Sequence, residues 1–143
     1  MNYSFNSKYA EKYGLQQSVM LQYIIWWVLR NGVYGKNFKD NRFWTYNSVN
    51  AFRHEFPFLT QKQIRKCLQD LKESGAILVG SYNKMRADRT KWYTLSDALM
   101  LDVQRNPTYK SWLSKHLSSR AKQYQLENNN NNKETLKEEQ PYA

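Results

Sequence analysis

Residues 14–29 contain no charged side chain, and no other part of the sequence constrains the fold as strongly. The apolar run VMLQYIIWWVL at 19–29 is shorter than the roughly 20 residues that a helix needs to cross a bilayer. We therefore predict a buried helix from about Gln16 to Asn31, with Gly32 as its C-cap, in the middle of a small domain. Three glutamines indicate its expected solvent side: Gln16, Gln17 and Gln22.

The clearest helix start is a capping box, with Thr60 as N-cap and Gln63 three residues later. Leu59 and Ile64 occupy the two positions of a hydrophobic staple, and Gly75 is placed to end the helix. The residues predicted to face the core are Ile64, Cys67, Leu68 and Leu71.

The opposite surface of this helix is predicted to carry cations and amides. At about 100° per residue, Lys62, Lys66 and Gln69 lie opposite the apolar stripe, and Arg65 lies beside them. Glu73 is the one acid assigned to that surface, near its far end.

A strand and a shorter helix are predicted before this segment. The loop GVYGKNFKDN leads to RFWTY, an aromatic and β-branched run typical of a short strand. Asn47 or Ser48 can then cap a helix with apolar residues at helical spacing, and Pro57 stops it. Its apolar residues are Val49, Phe52 and Phe56.

Two strands, residues 76–82 and 90–95, are predicted after the capping-box helix. The connection between them lies within YNKMRADRTKWY, so it is predicted to be the tip of a hairpin. This tip is strongly basic, with Asp88 expected to brace a neighbouring cation or the turn itself. Its cations are Lys84, Arg86, Arg89 and Lys91.

The net charge of +10 and the pI near 9.7 indicate an acidic partner, with nucleic acid the first choice and an anionic membrane surface the second. The charge is unevenly distributed: residues 1–95 carry +9, residues 96–126 carry +3 and residues 127–143 carry −2. The basic character therefore belongs to the part of the chain that is predicted to fold.

The order helix, strand, helix, helix, strand, hairpin tip, strand is that of a winged helix-turn-helix domain in the α+β class, mostly helical. In such domains the third helix lies in the major groove of DNA and the hairpin, or wing, follows the backbone. We predict that the third helix contacts DNA through Gln61, Lys62, Arg65, Lys66 and Gln69. The wing would contribute Lys84, Arg86, Arg89 and Lys91, and the start of the second helix Asn47 and Ser48.

Three parts of the chain are predicted: a winged-helix domain at 1–97, a helical extension at 98–126 and a disordered, low-complexity tail at 127–143. In the extension, Ser96 and Asp97 can cap a short helix that Pro107 interrupts. The apolar residues that follow either fold back on the domain or pair across a two-fold axis in a homodimer. They are Tyr109, Trp112, Leu113, Leu117 and Tyr124.

The sequence does not predict an enzyme. His54 and His116 have no partners at metal-ligand spacing, and the five glycines form no nucleotide-binding loop, so we expect neither metal nor cofactor. Cys67 is expected to be a core residue. Four tryptophans are expected in the core as well, because they lie inside predicted elements: Trp26, Trp27, Trp44 and Trp92. A single cysteine and the lack of a signal-peptide pattern lead us to expect a cytoplasmic location, without membrane attachment.

The segment WTYNSVNAFRHEFPFLTQKQIRKCLQDLKESGAILVGSYNK, followed by DRTKWYTLS, resembles the winged-helix N-terminal domain of phage and prophage replication proteins of the replisome-organiser and DnaD-like primosome types. The resemblance covers about residues 5–97. It implies binding of origin or replication-fork DNA, with the recognition helix at Thr60–Ser74 and the wing at Asn83–Lys91. Such proteins usually continue into a second helical domain, whereas this chain continues into an Asn-rich stretch, so we do not expect helicase loading.

The leading hypothesis is therefore a double-stranded DNA-binding protein of phage or mobile-element type, acting in the initiation of replication or its control. A transcriptional repressor on the same fold is an alternative. A protein-interaction module, such as a phage inhibitor of a host protein, is another, and replication or host proteins would then be partners. The positive charge argues against a DNA mimic, because mimics are acidic. A platform that stacks single-stranded nucleic acid is a minor further alternative, and it would need exposed aromatic residues on a sheet face.

Overall fold

A computed structural model describes residues 1–130, without the side chains of 121, 122, 124, 125 and 128–130. The predicted class is confirmed, because the chain is α+β and mostly helical. The helices are α1 (Ser7–Tyr13), α2 (Leu15–Tyr34), α3 (Val49–Glu55), α4 (Gln61–Glu73), α5 (Asp97–Arg105) and α6 (Pro107–Asn130). The strands are β1 (Phe38–Lys39), β2 (Arg42–Phe43), β3 (Thr45–Asn47), β4 (Ile77–Gly80) and β5 (Lys91–Leu95).

The uncharged helix α2 lies at the centre of the fold, where it contacts α1, α4, α6 and β5. It is longer than predicted, and the assignment of Gly32 as its C-cap is wrong. Gly32 lies inside the helix, whereas Gly35 adopts the left-handed conformation (φ 66°) and donates its N–H to the Asn31 carbonyl. The buried Val33 explains the extra turn, because the core-facing stripe continues past Gly32.

The three glutamines of α2 do not form a solvent side. Gln17 Nε2 donates to Asp70 of α4 at 2.9 Å. Gln22 accepts a hydrogen bond from the Tyr109 hydroxyl at 2.6 Å, and Gln16 accepts one from the Cys67 thiol at 3.9 Å. These side chains form hydrogen bonds between α2 and neighbouring helices. Of the three, Gln16 alone is exposed.

Strands β3, β5 and β4 form an antiparallel sheet in that order. The β4–β5 hairpin agrees with the predicted one. A second, two-stranded hairpin pairs β1, in the region predicted as a loop, with β2. Its turn places Asp40 (φ 51°) and Asn41 (φ 59°) in the left-handed conformation, which Asp and Asn tolerate better than most residues. The predicted strand RFWTY is divided between β2 and β3, so it is not one continuous strand.

Helices α3 and α4 begin and end close to where the sequence predicts. Ser48, rather than Asn47, caps α3 by accepting the Ala51 N–H at 3.1 Å. The capping box of α4 is complete, and Gly75 (φ 78°) follows its last residues in the left-handed conformation. The predicted apolar stripe is buried: Ile64, Cys67, Leu68 and Leu71.

The capping box leads to a stability prediction. The Thr60 hydroxyl accepts the Gln63 N–H at 3.1 Å, so Thr60→Ala leaves a backbone donor of the first turn without this partner. We expect the free energy of unfolding to fall by about 1 kcal/mol in a denaturant titration. Thr60→Ser keeps the acceptor and is the matched control. A similar loss in both variants would mean that the threonine methyl group, not the cap, carries the effect.

The beginning of α6 folds back on the domain. Tyr109 is 2% exposed, and the Trp112 ring lies 5.1 Å from the Trp26 ring, with Leu113 also packed against the core. These residues are therefore not available to pair across a two-fold axis, whereas Leu117 is exposed. The homodimer itself stays a prediction.

Helix α6 also continues through residues 127–130, which the sequence analysis assigned to the disordered tail. The predicted tail residues 131–143 and the side chain of Tyr124 lie outside the described part of the chain. No helix among residues 1–130 is long and apolar enough to span a membrane.

Four tryptophans were expected in the core, and one of them is not there. Trp44 and Trp92 are buried and Trp26 is half-buried, but Trp27 is 40% exposed. Ile24, Ile25 and Val28 face the core, which turns position 27 outward on a helix of 3.6 residues per turn.

Candidate nucleic-acid interface

A groove of about 810 Å³ lies between α4 and the β4–β5 hairpin. Apolar side chains from four elements contribute to its wall: Val49, Leu68, Val79 and Tyr93. The start of α3 closes one side through Asn47 and Ser48. We call this the α4–hairpin groove.

The groove brings together residues that are far apart in the sequence. Seven of the eleven residues predicted to contact DNA line it: Asn47, Ser48, Arg65, Lys66, Gln69, Arg89 and Lys91. One cation that was not predicted, Lys72, lines it as well. The lining thus holds five cations, and Asp88 is the only acid in it.

Four predicted residues lie outside this groove. Lys62 and Arg86 are exposed elsewhere on α4 and on the hairpin tip. Gln61 is half-buried and donates to Asn50 of α3 at 3.1 Å. Lys84 lines a second, smaller groove of about 450 Å³ on the other side of the hairpin, beside Tyr46 and Met85.

Two of the predicted contact residues already have partners within α4. Lys66 pairs with Asp70 at 3.3 Å, and Gln69 donates to Glu73 at 2.7 Å. Glu73 is therefore not the only acid on this surface, since Asp70 lies there too. The hydrogen bond from Gln17, with help from Lys66, lowers the pKa of the Asp70 carboxyl. A ligand that uses Lys66 or Gln69 must exchange these contacts for its own.

The conformation of the hairpin tip is stabilised by hydrogen bonds of Asn83 and Asp88. Asn83 Nδ2 donates to the carbonyls of Asp88 (2.9 Å) and Thr90 (2.7 Å), and its Oδ1 accepts the Trp92 indole N–H at 2.8 Å. Asp88 braces the turn rather than a cation, because its carboxylate accepts the Thr90 N–H at 3.0 Å. That bond lowers the pKa of the Asp88 carboxyl.

The base of the hairpin is fixed to the β1–β2 turn. The Tyr82 hydroxyl donates to the Asp40 carboxylate, and the Tyr82 ring packs 5.0 Å from Trp44 and 5.4 Å from Trp92. The exposed cations of the tip therefore stand on an ordered support, which limits the conformational entropy lost on binding.

Sequence reasoning missed two residues of this region. Lys72 lies seven residues after Arg65, so the same helical wheel that selected Arg65 places both on one face. The role of Asn83 depends on carbonyls five and seven residues away, and the linear pattern carries no signal for it.

The remaining chemistry-bearing residues form no site in the described part of the chain. No group of three or more His, Cys, Asp or Glu side chains among residues 1–130 could hold a metal ion. Cys67 is buried as predicted, and burial raises the pKa of its thiol to about 11. Such a thiol is protonated at neutral pH and is a poor nucleophile.

Comparison of the chain with protein-family models, with curated proteins and with solved structures gives no match.

Proposed function

We propose that this chain is a winged helix-turn-helix protein that binds double-stranded DNA through the α4–hairpin groove. The observation that carries the proposal is the convergence of five cations from α4 and the hairpin on one groove with a single acid. Core packing does not require cations at these positions, whereas a phosphate backbone does.

The topology supports the same proposal. Helices α3 and α4 are joined by five residues, the β4–β5 hairpin follows, and β3 pairs on the far side of β5. This order of elements supports the assignment to the winged helix-turn-helix domains, which use the same order. With 13 residues, α4 is about 20 Å long. A helix with its side chains is about 10–12 Å in diameter, which fits a major groove about 12 Å wide.

In this proposal α4 reads base edges while the hairpin follows the backbone. Arg65 is exposed on α4 and has no acidic partner among the ion pairs of residues 1–130. Arginine is the commonest reader of guanine, through two parallel hydrogen bonds. Arg89 and Lys91 would neutralise phosphates, which adds affinity but little sequence information.

A role in phage or mobile-element DNA replication rests on the resemblance of residues 5–97 to replisome-organiser and DnaD-like domains. A gel-shift selection with fragments of the encoding genome tests it. Retained fragments from a replication origin would support this role, and retained promoter fragments would support the repressor instead. No retention of any fragment at low salt would contradict DNA binding altogether.

The assignment of α4 as the reading helix has its own test. Arg65→Ala is expected to cost about 1–3 kcal/mol of binding free energy on the selected site and to relax the preference at one base pair. Lys110→Ala, which removes an exposed cation outside the groove, is the matched control. Fluorescence anisotropy with the selected duplex and with single-base variants measures both. Unchanged affinity and base preference in Arg65→Ala would remove Arg65 as a reader.

A further inference from the structure

Helix α2 exposes an aromatic and cationic stripe that core packing does not explain. Trp27 is 40% exposed and Tyr34 is 36% exposed, and they lie seven residues apart on the same side of the helix. Arg30 lies between them, with its guanidinium carbon 5.7 Å from the Trp27 ring centre and 5.5 Å from that of Tyr34.

Helix α6 adds a second arginine to this stripe. It runs in the same direction as α2, because Tyr109 bonds to Gln22 near its start and Arg120 lies 5.9 Å from the Tyr34 ring further on. We call Trp27, Arg30, Tyr34 and Arg120 the α2–α6 face.

The charge of this face is uniformly positive. Helix α2 contains no acid, and residues 107–126 of α6 contain four cations and no acid. An anionic partner therefore fits the face. An acidic peptide would pair with the arginines but would not contact the large exposed rings. A polynucleotide contacts both, because its phosphates pair with arginine and its bases stack on aromatic rings.

We propose that the α2–α6 face binds single-stranded nucleic acid. Trp27 and Tyr34, about 10 Å apart along the helix, would each stack on a base, while Arg30 and Arg120 meet the phosphates between and beyond them. Bases of a duplex are paired and stacked on each other, so only an unpaired strand offers them to these rings.

The face borders the α4–hairpin groove. Asn47, which lines the groove, donates to the Tyr23 hydroxyl at 3.4 Å, and the Tyr23 ring lies 6.2 Å from that of Trp27. Burial raises the pKa of the Tyr23 hydroxyl, although the hydrogen bond with Asn47 acts in the opposite direction. A strand that leaves the groove can thus continue along α2. The stacking site nevertheless stands on its own residues and does not depend on duplex binding.

The test compares two labelled probes, a twelve-nucleotide oligothymidine and an abasic oligonucleotide of the same length and charge. The wild-type chain is expected to bind oligothymidine at least about ten-fold more tightly, since stacking of each base contributes about five-fold or more. Trp27→Ala/Tyr34→Ala should bind both probes equally, and Trp27→Phe should keep part of the preference. Phe38→Ala, which removes an exposed ring elsewhere, is the control and should behave as wild type.

Two further measurements keep this inference separate from the proposed function. Removal of the groove cations should lower duplex affinity and leave the preference for oligothymidine over the abasic probe intact. If the wild-type chain does not bind duplex but keeps this preference, the proposed function fails and the stacking site stands. Equal binding of the two probes by the wild-type chain would overturn the stacking site. A Trp27→Ala/Tyr34→Ala variant that still prefers oligothymidine over the abasic probe would overturn it as well. If that variant also loses a dimer seen for the wild-type chain in sedimentation, the face joins two copies of the chain.

Discussion

Replacing Lys66, Lys72, Arg89 and Lys91 with alanine is expected to lower the affinity for duplex DNA by about four thousand-fold at 0.1 M salt. All four line the α4–hairpin groove and are exposed, so their removal leaves the core unchanged. Each phosphate contact makes the binding constant scale with salt concentration to about the −0.9 power, or about eight-fold per contact between 1 M and 0.1 M salt.

The salt dependence is the more specific measurement. The slope of log K against log salt should fall by about 3.6 in magnitude when four phosphate contacts are lost. A binding titration at four or five salt concentrations, on one duplex, gives this slope. An affinity loss without a change in slope would mean that these side chains read bases and do not neutralise phosphates.

A second variant that loses the same number of positive charges outside the groove shows whether DNA affinity depends on the position of the cations or on the total charge. Lys12, Arg105, Lys110 and Lys115 are exposed cations outside the groove, and their replacement by alanine also removes four charges. We expect only a few-fold loss of affinity, because at 0.1 M salt charges more than about 10 Å from the phosphates are largely screened. Equal losses in the two variants would show that DNA responds to the overall charge and not to the groove.

Phe52→Ala is expected to lower the free energy of unfolding by about 3–5 kcal/mol, the largest stability effect we predict. Phe52 is fully buried on α3, and its ring packs edge-on against Tyr23 of α2 (6.1 Å) and Tyr93 of β5 (5.6 Å). The substitution therefore opens a cavity where three elements meet, and the rings around it cannot all move in to fill the space.

Phe58→Ala is the matched control, since it makes the same chemical change at a side chain that is 57% exposed. Its cost should be below about 1 kcal/mol, because the Phe58 ring touches only Tyr3 and Phe56 among the ring contacts of the described residues. If Phe52→Ala does not fold, Phe52→Leu should still be measurably less stable than wild type in urea. Similar costs for Phe52→Ala and Phe58→Ala would contradict the packing seen at α3.

Local signals in the sequence predicted most helix ends. The Thr60 capping box, the Ser48 cap and Pro57 act through atoms within four residues, so they can be recognised without knowledge of the rest of the fold. The apolar stripe from Ile64 to Leu71 was predictable for a similar reason, because a helix repeats every 3.6 residues whatever it packs against.

The errors fall where a residue's role depends on a distant part of the chain. Gln17 and Gln22 were predicted to face solvent because their side chains are polar. In the structure they form hydrogen bonds with Asp70 and Tyr109, which lie 53 and 87 residues away in the sequence. Trp27 was assigned to the core because it lies inside a predicted helix, yet its neighbours on α2 take the inward positions. Gly32 was predicted to end α2, but the burial of Val33 extends the helix by another turn.

The sequence by itself determined the α+β class, the central uncharged helix, and the positive charge on α4 and on the hairpin. Each of these follows from composition, helical periodicity or contacts within a few residues. The tertiary structure alone decided that Arg65, Lys72, Arg89 and Lys91 line one groove, because packing of α4 against the sheet sets the space between them. It also decided that Trp27 and Tyr34 meet Arg30 and Arg120 on an exposed face, because the direction of α6 along α2 depends on contacts between residues far apart in the sequence, such as Tyr109 and Gln22.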